Sequence, residues 1–330
     1  MKDISINIIT TNDEPYLDKT LSSVRNLDPE YVIVFNGNIN SEEYETCKKY
    51  TKNVYVRQWN NDFSELRNFA KEKSTRKWIL WLDSDEELED CSKIIEINPK
   101  NDFHNFKLIH GSTTMSQLRL FKNLPEYKWQ GRIHERIIPK NLPEWHPEIK
   151  IIHHPNNISR SQIRNLNILK EEIENDPNNP DLNFFIAIEY HLVNQQMKSL
   201  LHAEKFLFHY HVNDIRKMYI RYLISWIYTF HLRNYQKAIQ IIFGQLAQNC
   251  NIAEFWCLLG DIYYKLGKFN DAKKFYENAI IMGKYKYDNM WITDLDKYQK
   301  YPKLRIDYCI KKQGIDLKKE ILQNEKILIP

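Results

Sequence analysis

The chain has 330 residues, of which 42% are hydrophobic and 27% charged. That is enough for about two domains with buried cores, and it excludes a mostly disordered chain. Only 8 glycines occur, with no G-x-G-x-x-G or G-x-x-x-x-G-K-[ST] stretch, which argues against Rossmann dinucleotide binders and P-loop NTPases.

The net charge of +4 is uneven: residues 1–155 carry 22 basic and 24 acidic side chains, and residues 156–330 carry 25 and 19. This mild basic excess fits an acidic or lipid-phosphate partner and does not indicate nucleic acid. The five cysteines (Cys47, Cys91, Cys250, Cys257, Cys309) are odd in number and never adopt a C-x-x-C spacing. A zinc ribbon and a disulfide scaffold are therefore disfavoured, and a reducing, cytoplasmic setting is expected. The N-terminus, MKDISINIITTNDE, does not read as a signal peptide. The most apolar later stretch, Met218 to Leu232, contains Arg221 and is too short to cross a bilayer.

In chain order, Ile4 to Thr10 is a β-branched run of strand length, and Pro15 to Asn26 places Leu17, Leu21 and Val24 at helical spacing. Tyr31 to Phe35 predicts a second strand, closed by the turn signal Asn36-Gly37-Asn38. A helix over Glu42 to Tyr50 and a short strand over Asn53 to Gln58 follow. Phe63 to Lys73 then reads as a helix with Asp62 or Ser64 as N-cap. Trp78 to Leu82 (WILWL) is a continuous apolar run, the pattern of a central strand covered on both faces. Strands separated by helices predict a mainly parallel α/β sheet. From Phe103 to His154 the segments FKLIH, QLRLF, RIHERII and IKIIHH, with prolines between them, predict an antiparallel extension. From Asn156 onward the pattern is helical.

That helical part repeats. Trp256, Leu259, Gly260, Tyr263, Ala272, Tyr276 and Ala279 fall at the offsets of the 34-residue tetratricopeptide pattern. A weaker copy contains Tyr235 and Ala238, and a looser one lies in Leu182 to Tyr210. The expected division is 1–155 for the α/β domain and 156–330 for an all-α repeat domain, clearest at 253–286.

The sharpest chemical feature is Asp83-Ser84-Asp85-Glu86, directly after the apolar strand. Carboxylates at the C-terminal edge of a parallel sheet face the crevice where α/β folds bind ligands. Two Asp at i and i+2 supply hard oxygens that suit Mg²⁺ or Mn²⁺ bridging a diphosphate. By itself this pattern is also that of a solvated turn.

Five segments carry a resemblance: Asn12-Asp13-Glu14, Trp59 to Ala70 (WNNDFSELRNFA), Trp78 to Glu86 (WILWLDSDE), Arg119 to Lys122 (RLFK) and Trp129 to Glu135 (WQGRIHE). In this order they resemble the family 2 glycosyltransferases of GT-A fold, in the branch with C-terminal tetratricopeptide repeats. The resemblance covers about 4–155 and 180–285. It implies inverting transfer of a sugar from a nucleotide diphosphate, with a UDP-sugar as the foremost donor and Mn²⁺ or Mg²⁺ as cofactor.

On that basis Thr10 and Thr11 would contact the base, with Asn12 and Asp13 next to them on the nucleotide side, Asp62 and Arg67 would lie along the nucleotide, and Asp83 would face the ribose. Asp85 would take the metal, with Asp83 and His153 as further candidate ligands. Inversion needs a base opposite the leaving group. The resemblance points to Glu135 for this role, with His134 the alternative, against a structural salt bridge of Glu135 to Arg132 or Arg136. One position departs: Phe35 stands where the family places an Asp after the second strand, leaving Asn36 or Asn38 to supply hydrogen bonds.

The acceptor class is a protein, a saccharide or a lipid-linked saccharide, held with help from the repeats, which also suit self-association. Two other readings are a non-catalytic interaction protein with a degenerate transferase domain, and a nucleotidyltransferase. The second lacks its Gly-rich basic loop after the first strand.

Overall fold

The computed structural model describes residues 3–155, 158–283 and 293–327. The chain divides into two compact units, Met1–Pro177 and Asn178–Pro330.

The first unit runs β1 (Ile4–Thr11), α1 (Leu17–Ser23), β2 (Glu30–Asn36), α2 (Glu42–Tyr50), β3 (Val54–Val56), α3 (Phe63–Lys73), β4 (Trp78–Asp83), β5 (Glu86–Leu88), α4 (Ser92–Ile95), β6 (Phe103–His110), β7 (Thr113–Lys122), β8 (Trp129–Gln130), β9 (Arg136–Ile137), β10 (Glu144–His153) and α5 (Ile158–Asn175). The sheet order is β3-β2-β1-β4-β7-β6-β10-β5. Strands β1 to β4 are parallel to one another. Because β2 and β3 lie on one side of β1 and β4 on the other, the order reverses between β1 and β4. The crevice beyond their C-terminal ends is the natural ligand position of such a sheet.

Packing explains the apolar runs. Ile4, Ile6 and Ile8 of β1 join Leu17, Leu21, Phe35, Leu80 and Leu82 in one core. Val32 and Val34 of β2 pack with Leu66 and Ala70 of α3 in another. Strand β4, from Trp78 to Leu82, is buried at every position, as a strand covered on both faces must be.

The C-terminal extension of the sheet is mixed. Strand β7 is antiparallel to β4 and to β6, whereas β10 runs parallel to β6 and antiparallel to the short β5. The expected strand RIHERII is mostly a loop, in which only Arg136 and Ile137 pair, with Trp129 and Gln130. Gly131 (φ 95°) and His134 (φ 52°) adopt left-handed backbone, which interrupts an extended segment. Helix α5 belongs to the first unit: Arg164 lies over Trp59 and Phe63, and Glu171 pairs with Arg132 at 2.9 Å.

The second unit contains three helix pairs among the described residues: α6 (Pro180–Leu192) with α7 (Gln196–His209), α8 (Ile215–Phe230) with α9 (Tyr235–Leu246), and α10 (Ala253–Lys265) with α11 (Phe269–Gly283). Within each pair the second residue before the second helix has positive φ: Asn194 at 59°, Arg233 at 53° and Gly267 at 73°. Ser199, Ala238 and Ala272, the fourth residue of each second helix, are fully buried. The small side chain lets the two helices approach closely. A recurring turn and a recurring small residue make this an all-α tetratricopeptide-like repeat domain.

Candidate active site

Strand β4 ends at Asp83, and the chain turns through Ser84 and Asp85 into β5. This turn is held from beneath. Glu86 accepts the backbone N–H of Asp83 at 2.8 Å, and Thr20 donates to the Ser84 carbonyl at 2.8 Å. Glu86 is itself gripped by both terminal nitrogens of Arg119, each at 2.6 Å, and both side chains are fully buried. The Arg119 guanidinium lies 3.9 Å from the Trp81 ring centroid. A bidentate, stacked arginine of this kind fixes a carboxylate rigidly.

Arg67, on the sheet-facing side of α3, is the second buried guanidinium. It stacks over Trp81 at 4.2 Å and Trp129 at 5.1 Å. Its Nη2 donates to Asp83 Oδ1 at 2.8 Å, and its Nε donates to Glu135 Oε1. Asp83 keeps 46% of its side chain exposed, whereas Glu135 keeps 9%. Burial acts to raise the Asp83 carboxyl, but Arg67 and Arg119 outweigh it and hold the group below the ordinary value.

Asp85 points toward the end of β10. Its Oδ2 lies 3.1 Å from His153 Nε2, and its carbonyl accepts the His154 N–H at 2.8 Å. The other nitrogen of His153 meets His110 Nδ1 at 2.8 Å. Burial lowers both histidines. For His153 the hydrogen bond and charge of Asp85 reverse the sign and raise it, while His110 stays lowered, beside His153. Glu14, after β1, is raised to about 7 by burial and then by the charges of Asp85 and Asp83. Glu14 therefore stands within the field of Asp85 and Asp83, of which Asp83 is offset by Arg67 and Arg119.

The remaining expected residues are spread around this centre. Thr10 is buried, and its hydroxyl has no hydrogen-bond partner among the described residues. The Thr11 hydroxyl bonds the Asn36 carbonyl, and the Asn36 side chain accepts the Trp59 N–H at 3.1 Å. Asp13 is exposed with φ 63°. Asp62 is the N-cap of α3, accepting Glu65 N–H at 3.1 Å and the Ser64 hydroxyl at 2.7 Å. His134 sits in the loop after Gly131. Phe35 is fully buried against Tyr44, so its side chain belongs to the core, and the next residue, Asn36, ends the strand.

The structure thus joins Arg67, Asp83 and Glu135 in one chain of ion pairs, and Asp85 with His153 in another. The cation beside Glu135 is Arg67, while Arg132 pairs with Glu171. Residues without an assigned role in the sequence are Glu86 and Arg119, which hold the turn, His110 behind His153, and Glu14. A lone arginine inside the apolar strand QLRLF signals a buried ion pair. The two histidines ending β6 and β10 meet only once those strands are known to be parallel neighbours.

Both parts of the chain are similar to known proteins. Residues 5–106 match the family Glycosyl transferase family 2, and residues 253–282 match Tetratricopeptide repeat. The SPbeta prophage-derived glycosyltransferase SunS of Bacillus subtilis is 25% identical over 241 residues, covering 67% of this chain and 57% of that protein. An uncharacterized glycosyltransferase of Rickettsia typhi is 32% identical over 88 residues, 27% of this chain and 30% of that one. Among solved structures, MamA from Desulfovibrio magneticus RS-1 is similar at 15% identity with a TM-score of 0.34, over 49% of this chain and 89% of that one. The chain spans little more than half the length of SunS. No helix among the described residues is long and apolar enough to cross a membrane.

Proposed function

We propose that this chain, whose N-terminal domain belongs to glycosyl transferase family 2 and whose C-terminal domain carries tetratricopeptide repeats, is a metal-dependent, inverting glycosyltransferase. Its donor is a nucleotide-diphosphate sugar, foremost a UDP-sugar, and its acceptor is a hydroxyl of a protein, a saccharide or a lipid-linked saccharide. The observation that carries this reading is the acidic edge formed by Glu14, Asp83 and Asp85 where the strand order reverses between β1 and β4.

Asp85 and His153 are the residues that would hold Mn²⁺ or Mg²⁺. The donor set supports the fit, because a carboxylate and an imidazole 3.1 Å apart, with Glu14 and Asp83 nearby, supply the oxygen and nitrogen donors such an ion takes. When bound, the cation neutralises charge developing on the departing diphosphate. Asp83, oriented by Arg67 and half exposed, accepts hydrogen bonds from ribose hydroxyls. Glu135 draws the acceptor proton while Arg67 fixes its carboxylate, with His134 as the alternative base. Thr10, Thr11, Asp13, Asn36 and Asp62 complete the nucleotide side. The helix pairs hold an acceptor or partner chain, a second copy included. The five unpaired cysteines go with a cytoplasmic setting.

The test is a screen of nucleotide sugars for hydrolysis and thermal shift with Mn²⁺ present. Asp85→Ala should abolish the nucleotide-dependent thermal shift with little change in the unliganded melting temperature. Full turnover in excess chelator would remove the metal from the reading.

A further inference from the structure

Strands β6 and β10 carry a second convergence of ligand-type side chains at their opposite ends. His110 lies six positions beyond His104 along β6, roughly 20 Å at the rise of an extended strand. His104 and Glu144 are register partners, as are Phe106 and His146. Alternation along the strands therefore puts His104, Glu144 and His146 on one face of the sheet.

His104 Nδ1 lies 3.1 Å from His146 Nε2, and one oxygen of Glu144 lies 3.6 Å from the first and 4.0 Å from the second. A tetrahedral zinc with bonds of 2.0–2.1 Å has ligand-to-ligand edges of about 3.3 Å. The triangle of 3.1, 3.6 and 4.0 Å needs only a small rotation of the half-exposed Glu144 to reach it.

We propose that His104, His146 and Glu144 bind a zinc ion that ties the start of β10 to β6, separate from the site at Asp85. The surroundings suit a ligand set. The register of β10 against β6 breaks between His146 and Lys150, and this irregularity brings Glu148 back toward the His146 ring, its carboxylate 3.2 Å from Nδ1. A carboxylate there accepts Nδ1–H and leaves the Nε2 lone pair for a metal, the common carboxylate–histidine–zinc arrangement. His104 is fully buried, and its polar contacts to His146 and Glu144 run through Nδ1. The competing explanation is a bare hydrogen bond between the two imidazoles.

Zinc alone is the probe. The full chain is titrated with Zn²⁺ against a chromophoric chelator, and its metal content is measured after dialysis. We expect one equivalent bound tightly by the native chain and by the His153→Ala variant, which disables the site at Asp85. Glu148→Gln should weaken binding about 10–100-fold, the range for a lost carboxylate behind a histidine ligand. His146→Gln and Glu144→Gln should weaken it further. Glu144 is half exposed, so its Gln variant keeps the fold, which a melting curve without metal verifies. Zinc should raise the melting temperature of the native chain but not of Glu144→Gln. Absence of zinc binding, binding undiminished in both Glu144→Gln and His146→Gln, or loss with His153→Ala alone would each overturn the assignment.

Discussion

Arg67 serves two carboxylates at once, Glu135 through Nε and Asp83 through Nη2, and that makes Glu135→Gln a discriminating change. A glutamine keeps size and an acceptor for Nε but cannot take a proton. If Glu135 is the base, nucleotide affinity and melting temperature persist while turnover falls by roughly 10²–10⁴. If its role is to hold Arg67, Asp83 loses its position as well, and nucleotide affinity falls together with turnover. Measuring affinity, melting temperature and turnover on the one variant separates these cases, and near-normal turnover moves attention to His134.

The identity of the acidic strand end was legible in the sequence, because WILWL followed by DSDE leaves few structural choices. The partner of Glu135 was not. The arginines next to it in sequence, Arg132 and Arg136, were the ones in view, and Arg67 reaches it only because α3 packs over Trp81 and Trp129.

At the scale of elements, periodicity located the helices and the parallel strands, and the 34-residue pattern located the repeats. It missed β5, three residues whose pairing places Glu86 opposite His153 and so brings His153 beside Asp85. A pairing between residues this far apart leaves no local signature.

The repeat pattern makes a sharper test through two helical glycines. In α10 a Cβ on Gly260 would meet three ring atoms of Tyr276 at 2.5–2.7 Å. That ring is fully buried, and its hydroxyl donates to Asp261 at 2.7 Å, so it cannot step aside. Alanine gains about 0.5–1 kcal/mol over glycine within a helix, but overpacking costs about 1–3 kcal/mol. Gly260→Ala should therefore lower the melting temperature. Gly244 in α9 is exposed, with nothing within 4 Å of its Cβ position, so Gly244→Ala should raise it. Equal responses of the two variants would show that close packing of Gly260 against Tyr276 does not set the repeat.

At the scale of the whole molecule each unit carries a carboxyl raised to about 7, Glu14 in the first and Glu254 in the second. Both shift the stability of the chain toward acid. Glu254 is the cleaner case, since it has no part in the proposed transfer site. It stands at the start of α10 and is 8% exposed; its Oε1 accepts the Asp294 N–H at 3.1 Å. Burial raises the group from its ordinary 4.5, against hydrogen bonds from Tyr298 and from backbone N–H groups, which lower it.

Between about pH 4.5 and 7 the folded chain keeps a proton there that the unfolded chain has released. Unfolding then releases a proton, and stability must fall as pH rises across that window. The contribution is complete below 4.5 and gone above about 7, and for so buried a group it amounts to about 3 kcal/mol. Glutamine imitates the protonated carboxyl at every pH. Glu254→Gln should match the native chain near pH 4.5 and exceed it in stability at pH 8, with the gap opening between those values. Glu14 is common to both chains and cancels in the difference. Denaturant midpoints of the two chains across pH 4.5–8 measure the gap directly, and parallel curves would mean that Glu254 ionises in the folded state as readily as in the unfolded one.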